Sequence, residues 1–366
     1  MPIYMDRHDI PDEVTAEHLA RMHQLDLNVE HLFGCKAMTY WCDEVRKVAF
    51  CLIHAPDQQA VVDMHNHAHG SYPHKIIEVD SGTVESFLGR IEDPKNEKGT
   101  ELNIIDDSAF RVLMSVKIER NPNARLDKVE FDQAYKTLNE LLEKVITGHQ
   151  GRLVKRKDNS FLASFDSGTK AVLCTLDTQV LLGGPSVSTS FNFKIGLSAG
   201  VPVTDKGNIF EDAVKMSRYL SEITQGRTTV TSEVKDLFEG ENFNKRIDAS
   251  IAVLDLNSEK FLRTLMDYFD REWNNPALNV ETLSVGLGLS KSQANRKLKS
   301  LTAKSPNQLI QEIRLQKSVD SIRLKHRTIS EIAYDSGFTS PAYFSRAFKR
   351  RFGLSPKDFA IDYVQR

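Results

Sequence analysis

Residues 329–359 read ISEIAYDSGFTSPAYFSRAFKRRFGLSPKDF, and residues 280–306 read VETLSVGLGLSKSQANRKLKSLTAKSP. Superposed, the two stretches repeat one pattern. Leu283 corresponds to Ile332, Ser284 to Ala333 and Gly288 to Gly337, then Arg296 to Arg346 and Leu298 to Phe348, and finally Ser305-Pro306 to Ser355-Pro356. Each copy predicts a short helix, a turn whose glycine suits a left-handed backbone, and a longer basic helix. Ser284 and Ala333 are small, as two closely crossing helices require. Ser340 reads as an N-cap with Pro341 at the first helical position. In the longer helices Ala294 and Leu298, and again Phe344 and Phe348, form an apolar i,i+4 stripe, with Asn295, Arg296 and Lys299, and Arg346, Lys349 and Arg350, off it. Such a helix packs one face inward and offers the other to a DNA major groove. A helical bundle with a merely solvated basic face does not account for two copies of the same turn chemistry. The segment 306–324 predicts a helix joining the two units.

Charge supports this reading. From Leu262 to Arg366 there are 18 Lys and Arg against 10 Asp and Glu, whereas the remaining chain has 30 against 40, so a net charge of −2 hides a basic end on an acidic protein. That asymmetry points to a polyanion partner.

The segment resembles the AraC/XylS-type DNA-binding domain throughout residues 262 to 366. The resemblance implies seven helices carrying two helix-turn-helix units, set on successive turns of one DNA face. Carried over by position, the DNA-contacting candidates are Ser292, Gln293, Asn295, Arg296 and Lys299 in the first unit, and Ala342, Ser345, Arg346, Lys349 and Arg350 in the second. Arg296 is expected to read bases, and Lys299 and Lys349 to hold phosphates. Pro341 and Ala342 offer no polar side-chain contact, so weaker direct readout is expected from the second unit.

The 366 residues suggest two or three domains, with 40% hydrophobic and 27% charged residues in an ordinary globular balance. No apolar run approaches the roughly 18 residues of a membrane span, no signal pattern opens the chain, and four cysteines are too few for a disulfide scaffold. A cytoplasmic protein with free thiols and no membrane partner is expected.

Nine of the 11 histidines precede residue 75. Strands are predicted at PIYMDRH, KAMTYWC, KVAFCLIH and KIIEV, and helices at 15–32 and 57–69, the second closed by Gly70. This βαββαβ order predicts a four-stranded antiparallel sheet with two helices on one face. Residues 1 to 80, through YMDRHD, YWCDE, FCLIHAPD and HNHAHG, resemble a small bacterial family of ferredoxin-like fold, some of whose members are described as nickel-binding. His65 and His69, four apart, share a helix face, while Asp6 and His8 share a sheet face. His8, His65 and His69 are therefore the candidate ligands of a divalent transition metal, nickel or zinc. A polar ligand pocket or a pH-sensitive cluster is the alternative. His18, His31 and His54 read as surface or core histidines, and His67 as solvated. Residues 81 to 106, containing EDPKNEKGTE, are expected to form a polar linker.

Between these ends, residues 107 to 240 predict an α+β domain. GHQGRLVKRKDNSFLASFDSGTKAVLCTLDTQ and FKIGLSAGVPVTDKGNIFEDAVKMSRYL resemble class III nucleotide cyclase domains. Such enzymes use two aspartates to hold two metal ions. Here Asn159 stands at one aspartate position, Ser115 and Lys117 occupy the strand expected to hold the other, and Lys215 and Tyr219 replace a later asparagine and arginine. Asp158 reads as a turn residue. The expectation is a non-catalytic cyclase-like domain used for dimerisation or sensing. The whole chain thus reads as a multidomain protein: an α+β ferredoxin-like unit (1–80), an α+β cyclase-like unit (107–240) and an all-α double helix-turn-helix unit (258–366). The function expected is that of a homodimeric regulator of transcription, not an enzyme, binding double-stranded DNA and answering to a metal ion or small ligand. The alternatives are a nucleotide cyclase with a DNA-binding tail and a metal-buffering protein.

Overall fold

The structure is a computed structural model that describes residues 1–95, 102–121, 124, 128–157, 159–242, 246–324 and 327–364. Its N-terminal unit comprises β1 (Ile3–Asp9), α1 (Ala16–Val29), β2 (Lys36–Asp43), β3 (Val48–His54), α2 (Gln58–His69) and β4 (Lys75–Val79). The strands form an antiparallel sheet in the order β2-β3-β1-β4. Alternation divides its two faces. Tyr4 and Ile53 pack on Val61 and Met64 of α2, and Tyr40, Cys42 and Ala49 pack on Ala16, Leu19 and Ala20 of α1. Met5, Trp41, Phe50, Leu52 and Ile77 point the other way. Asp57 caps α2 by accepting the Ala60 N–H at 2.9 Å. His18 helps close the start of α1, its Nδ1 accepting the Thr15 N–H at 3.2 Å.

Residues 81–106 depart from the expected linker. Ser81–Leu88 form a helix, α3, whose Val84, Phe87 and Leu88 are buried, and Ile105 joins the core beneath α1. The apolar spacing i, i+3, i+4 within VESFL and the Asp80 cap (Thr83 N–H at 2.9 Å) are enough for two turns once a core is there to receive them. Part of the expected linker, 96–101, lies outside the described residues.

The middle unit is built on β5 (Arg111–Arg120), α4 (Lys128–Gly148), β6 (Arg152–Lys157), β7 (Ser160–Phe165), α5 (Gly168–Gly183), α6 (Pro185–Ser188), β8 (Phe191–Gly200), α7 (Glu211–Ile223), β9 (Thr228–Thr231), α8 (Ser232–Glu241) and β10 (Ala252–Leu254). Its six strands lie in the order β10-β9-β8-β5-β7-β6, with β8, β9 and β10 mutually parallel through the α7 and α8 crossovers. Strands β9 and β10 were not anticipated, and β10 carries the sheet past residue 240.

Strand β5 touches every part of the molecule. Val112, Met114, Val116 and Ile118 face the core beneath α4 and α5. On the opposite face Leu113 joins Met5, Trp41 and Phe50 of the N-terminal sheet in one core, together with Val203, Phe210 and Ala213. Further along that face, Ser115 Oγ lies 3.1 Å from Ser221 Oγ of α7.

Among the described residues the C-terminal unit has seven helices: α9 (Leu256–Glu272), α10 (Val280–Gly286), α11 (Lys291–Thr302), α12 (Pro306–Leu324), α13 (Ile329–Asp335), α14 (Pro341–Phe352) and α15 (Pro356–Val364). Gly288 and Gly337 adopt φ of +65° and +78° in the turns, the left-handed backbone that lets each second helix cross the first. There are two cores. One joins Leu283, Leu298, Leu309 and Ile313 to α9 and to Met216, Tyr219 and Leu220 of α7. The other gathers Leu315, Ile322, Ile332, Phe344 and Phe348. Helix α12 runs through both.

Candidate DNA-binding face and histidine centre

Helices α11 and α14 hold the expected DNA-contacting residues. Ser290 caps α11, accepting the Gln293 N–H at 3.2 Å, while Gln293 Oε1 accepts the Ser290 N–H at 2.9 Å. This reciprocal box occupies the Gln293 side chain in starting the helix. Ala294 and Leu298 are buried, and Ser292, Asn295, Arg296 and Lys299 are exposed. In α14, Ser340 caps Tyr343 N–H at 3.3 Å with Pro341 next to it; Phe344, Ala347 and Phe348 are buried, Ser345 is half-buried, and Ala342, Arg346, Lys349 and Arg350 are exposed. The side chains of Arg296, Lys299, Arg346, Lys349 and Arg350 form no hydrogen bond or ion pair with the described residues. Five cations are thereby left free on two parallel-built helices, which is the electrostatic footprint a phosphate backbone needs.

Arg351 behaves differently from its basic neighbours. Its Nε donates to Glu312 of α12 at 2.7 Å and its Nη2 to both carboxylate oxygens of Glu119 at 2.9 Å. Burial raises the Glu119 carboxyl, but Lys117, Arg351 and Lys194 together outweigh it and hold it below the ordinary range.

In the N-terminal unit the structure sets His8 and His69 on opposite sides of His65, so the three expected histidines do not converge on one point, and each side includes residues that sequence reading did not single out as ligands. The His65 ring lies between two carboxylates: Nε2 is 2.8 Å from Asp6 Oδ2 and Nδ1 is 3.0 Å from Asp26 Oδ1. Burial pulls the imidazole pKa down, but Asp26 and Asp6 carry it up to about 10. Both carboxylates are pushed up by burial and then drawn below their usual value by the imidazoles facing them. His69 Nε2 stands 3.3 Å from Asp26 Oδ1, and its Nδ1 accepts the Ser71 N–H at 3.3 Å. His8 Nε2 is 3.3 Å from Asp6 Oδ2, yet neither ring nitrogen of this buried histidine makes a hydrogen bond. Ligand atoms of Asp6, His8, Cys51 and His65 lie within 4.8 Å of one another, as do those of Asp26, His65 and His69. Such a mixed nitrogen, oxygen and sulfur set suits a first-row transition ion. Asp26 carried a legible signal, an acid on the buried side of α1 beside Leu19 and His23. Cys51 carried another, since it alternates with Phe50 and Leu52 and so faces the helices. Elsewhere, His67 is exposed against Phe33, His74 Nδ1 accepts the Asp9 N–H at 3.1 Å, and His23 Nε2 lies 3.0 Å from Asp93 Oδ2.

At the turn between β6 and β7, Asn159 precedes the Ser160–Lys117 pair of the sheet, and Asp158 lies outside the described residues. Ser115 meets Ser221, and Lys117 Nζ lies 3.7 Å from both Glu119 and Glu222. Among the described residues no helix is long and apolar enough to cross a membrane.

Two stretches of the chain match known families. Residues 283–360 match the family described as "Helix-turn-helix domain", and residues 4–79 match "Nickel responsive protein SCO4226-like". The curated relatives include Histidine kinase P4 of Formosa agariphila, 31% identical over 121 residues, which are 33% of this chain and 9% of the kinase. They also include Regulatory protein SoxS of Salmonella typhimurium, 29% identical over 104 residues, which are 28% of this chain and 96% of SoxS. Among solved structures, SCO4226 from Streptomyces coelicolor A3(2) is 31% identical, covering 21% of this chain and 94% of that one with a TM-score of 0.20. The chain therefore ends in an AraC-type helix-turn-helix domain and begins with an SCO4226-like domain.

Proposed function

We propose that this protein is a sequence-specific DNA-binding regulator of transcription whose operator affinity answers to a divalent transition metal. The observation that carries the first half is the pair of capped, glycine-turned helices α11 and α14, each with a buried apolar stripe and an unpaired basic face. In this reading Arg296 and Asn295 read base edges, Lys299, Lys349 and Arg350 hold phosphates, and Ala342 leaves the second unit poorer in direct readout.

For the metal, the donor chemistry fits. A buried imidazole with both nitrogens unbonded, His8, is an unusual expense in a core unless a partner satisfies it. Two donor sets are available, one on each side of His65: His8, His65, Asp6 and Cys51, or His65, His69 and Asp26. In either, His65 would give up its proton to the solvent on binding, and nickel and zinc both suit such donors. An ion in the first set would tie β1 and β3 to α2, and one in the second would tie α1 to α2. Residues 1–80, 107–240 and 258–366 then serve as sensor, dimerising body and DNA reader. The middle unit is not a cyclase in this reading, because Asn159, Ser115 and Lys117 lack the anionic oxygen that a catalytic magnesium requires. The protein acts as a homodimer in the cytoplasm.

The test is operator selection from the source genome, with and without added nickel or zinc, followed by affinity measurement on the selected sites. Absence of any preferred sequence would end the DNA reading. Equal affinity with and without each metal would leave a regulator that does not sense metal.

A further inference from the structure

Where the N-terminal sheet meets the middle unit, a polar cavity of about 330 Å³ opens between the end of α3 and the near ends of β5, β6 and β7. Arg90, Arg111 and Arg152 line it together with Asp107, Asp166 and Gln150. The charges do not cancel. Asp107 is engaged by Arg90 at 3.3 Å, and Asp166 by Lys170 at 2.8 Å. Arg111 is buried, and the hydrogen bonds it makes among the described residues go to carbonyl oxygens, of Phe87, Leu88, Ser108 and Phe110. Arg152 makes no hydrogen bond or ion pair with the described residues; its guanidinium lies over Gly89, where a Cβ would collide with it. Three guanidiniums thus face two carboxylates, one of them shared with Lys170, and the lining is left net positive. Burial lowers the Arg111 pKa, and Arg152 and Arg90 push it the same way against the aspartates.

We infer that this cavity is a binding site for a small hydroxylated carboxylate, of the size of malate or citrate. The unpaired planar fork of Arg152 matches a carboxylate with two parallel hydrogen bonds, and Arg111 and Arg90 add positive charge beside it. Gln150 and the Asp107 carboxylate stand beside the arginines as partners for ligand hydroxyls. The volume lies at the small end of the range for ligand pockets, too small for a nucleotide and large enough for a six-carbon acid. The ligand would touch both units, since Arg90 also donates to Tyr40 O at 2.6 Å and lies 4.4 Å over the ring of Trp41 in the N-terminal sheet. This inference concerns binding alone, so it stands or falls separately from the DNA reading.

Calorimetry and tryptophan emission on the full chain test it, with malate, citrate and inorganic phosphate as probes. Saturable binding of malate or citrate is expected, with a change in Trp41 emission as Arg90 is drawn toward the ligand. Arg152→Ala should weaken it by roughly tenfold or more, the scale of a charge-assisted pair, while Arg152→Lys should recover part of the loss. Arg152 is exposed, so the variant should fold as the parent does, and its unliganded melting temperature checks this. No saturation by either acid, or affinity unchanged in Arg152→Ala, would overturn the site. Phosphate binding more tightly than both acids would overturn the carboxylate assignment. Operator affinity measured on the same samples reports on DNA binding independently.

Discussion

Arg351, on the second basic helix of the DNA-binding unit, donates from one nitrogen to both carboxylate oxygens of Glu119, the penultimate residue of β5. With Glu312 on its other side, it pins α14 to the central strand of the middle unit. The contact is half-buried and forked, so it is worth more than a surface pair. Arg351→Ala should cost about 1–3 kcal/mol of stability and loosen the second helix-turn-helix unit relative to the first. Because the folded state lowers the Glu119 pKa, its contribution is full above about 4.3, the ordinary glutamate value, and is lost as pH falls. Thermal melts of the parent and Glu119→Gln should therefore differ at neutral pH and converge in acid. A constant gap across that range would refute the assignment.

On DNA, Arg296→Ala should cost roughly 1–3 kcal/mol and relax preference at particular base pairs, whereas Lys349→Ala should weaken all sequences alike and reduce the salt dependence by about one phosphate contact. Fluorescence anisotropy over a set of operator variants separates the two. Gln293→Ala is expected to act through helix stability, since its side chain closes the cap of α11.

For metal binding, His8→Ala is the most informative substitution. Its removal takes one 3.3 Å contact from Asp6, which keeps the His65 ring and the Cys51 N–H as partners. His65→Ala would leave two buried carboxylates facing each other's field and should destabilise the unit whether or not a metal binds. Calorimetry on the full chain should show nickel or zinc affinity reduced about 10-fold or more in His8→Ala, with the metal-free melting temperature lowered less than in His65→Ala. Equal affinity in parent and variant would remove His8 from the site.

The middle unit is expected to yield no cyclic nucleotide from ATP or GTP with magnesium or manganese, and the full chain to sediment as a dimer. Any product formation overturns the first expectation, and a monomeric mass at micromolar concentration overturns the second.

Much of this architecture was legible in the chain because local chemistry and global packing agree. The repeat around Gly288 and Gly337 announced two helix-turn-helix units, and the alternation in YMDRHD placed Asp6 and His8 on one face. What escaped was set by contacts distant in sequence. VESFL looks polar beside the acidic stretch that follows it, and forms α3 only because Phe87 and Leu88 find a core shared with Trp41 and Phe210. Arg351 reads as one more cation in KRR; docking alone separates it from Lys349 and Arg350. Strands β9 and β10 are short, four and three residues, with too little alternation to declare a strand.

The single core formed by Met5, Trp41, Phe50, Leu52, Leu113 and Phe210 has a consequence for anyone who dissects the protein. Each large apolar side chain in it is worth roughly 1.5–3 kcal/mol when kept from water, and four of the six come from the N-terminal unit and two from the middle unit. Cut between the units, both fragments would present a greasy flank and tend to aggregate. Left whole, the N-terminal and middle units should melt as one cooperative block in scanning calorimetry, and an event at the amino-terminal histidines would be felt mechanically at β5 through that shared core.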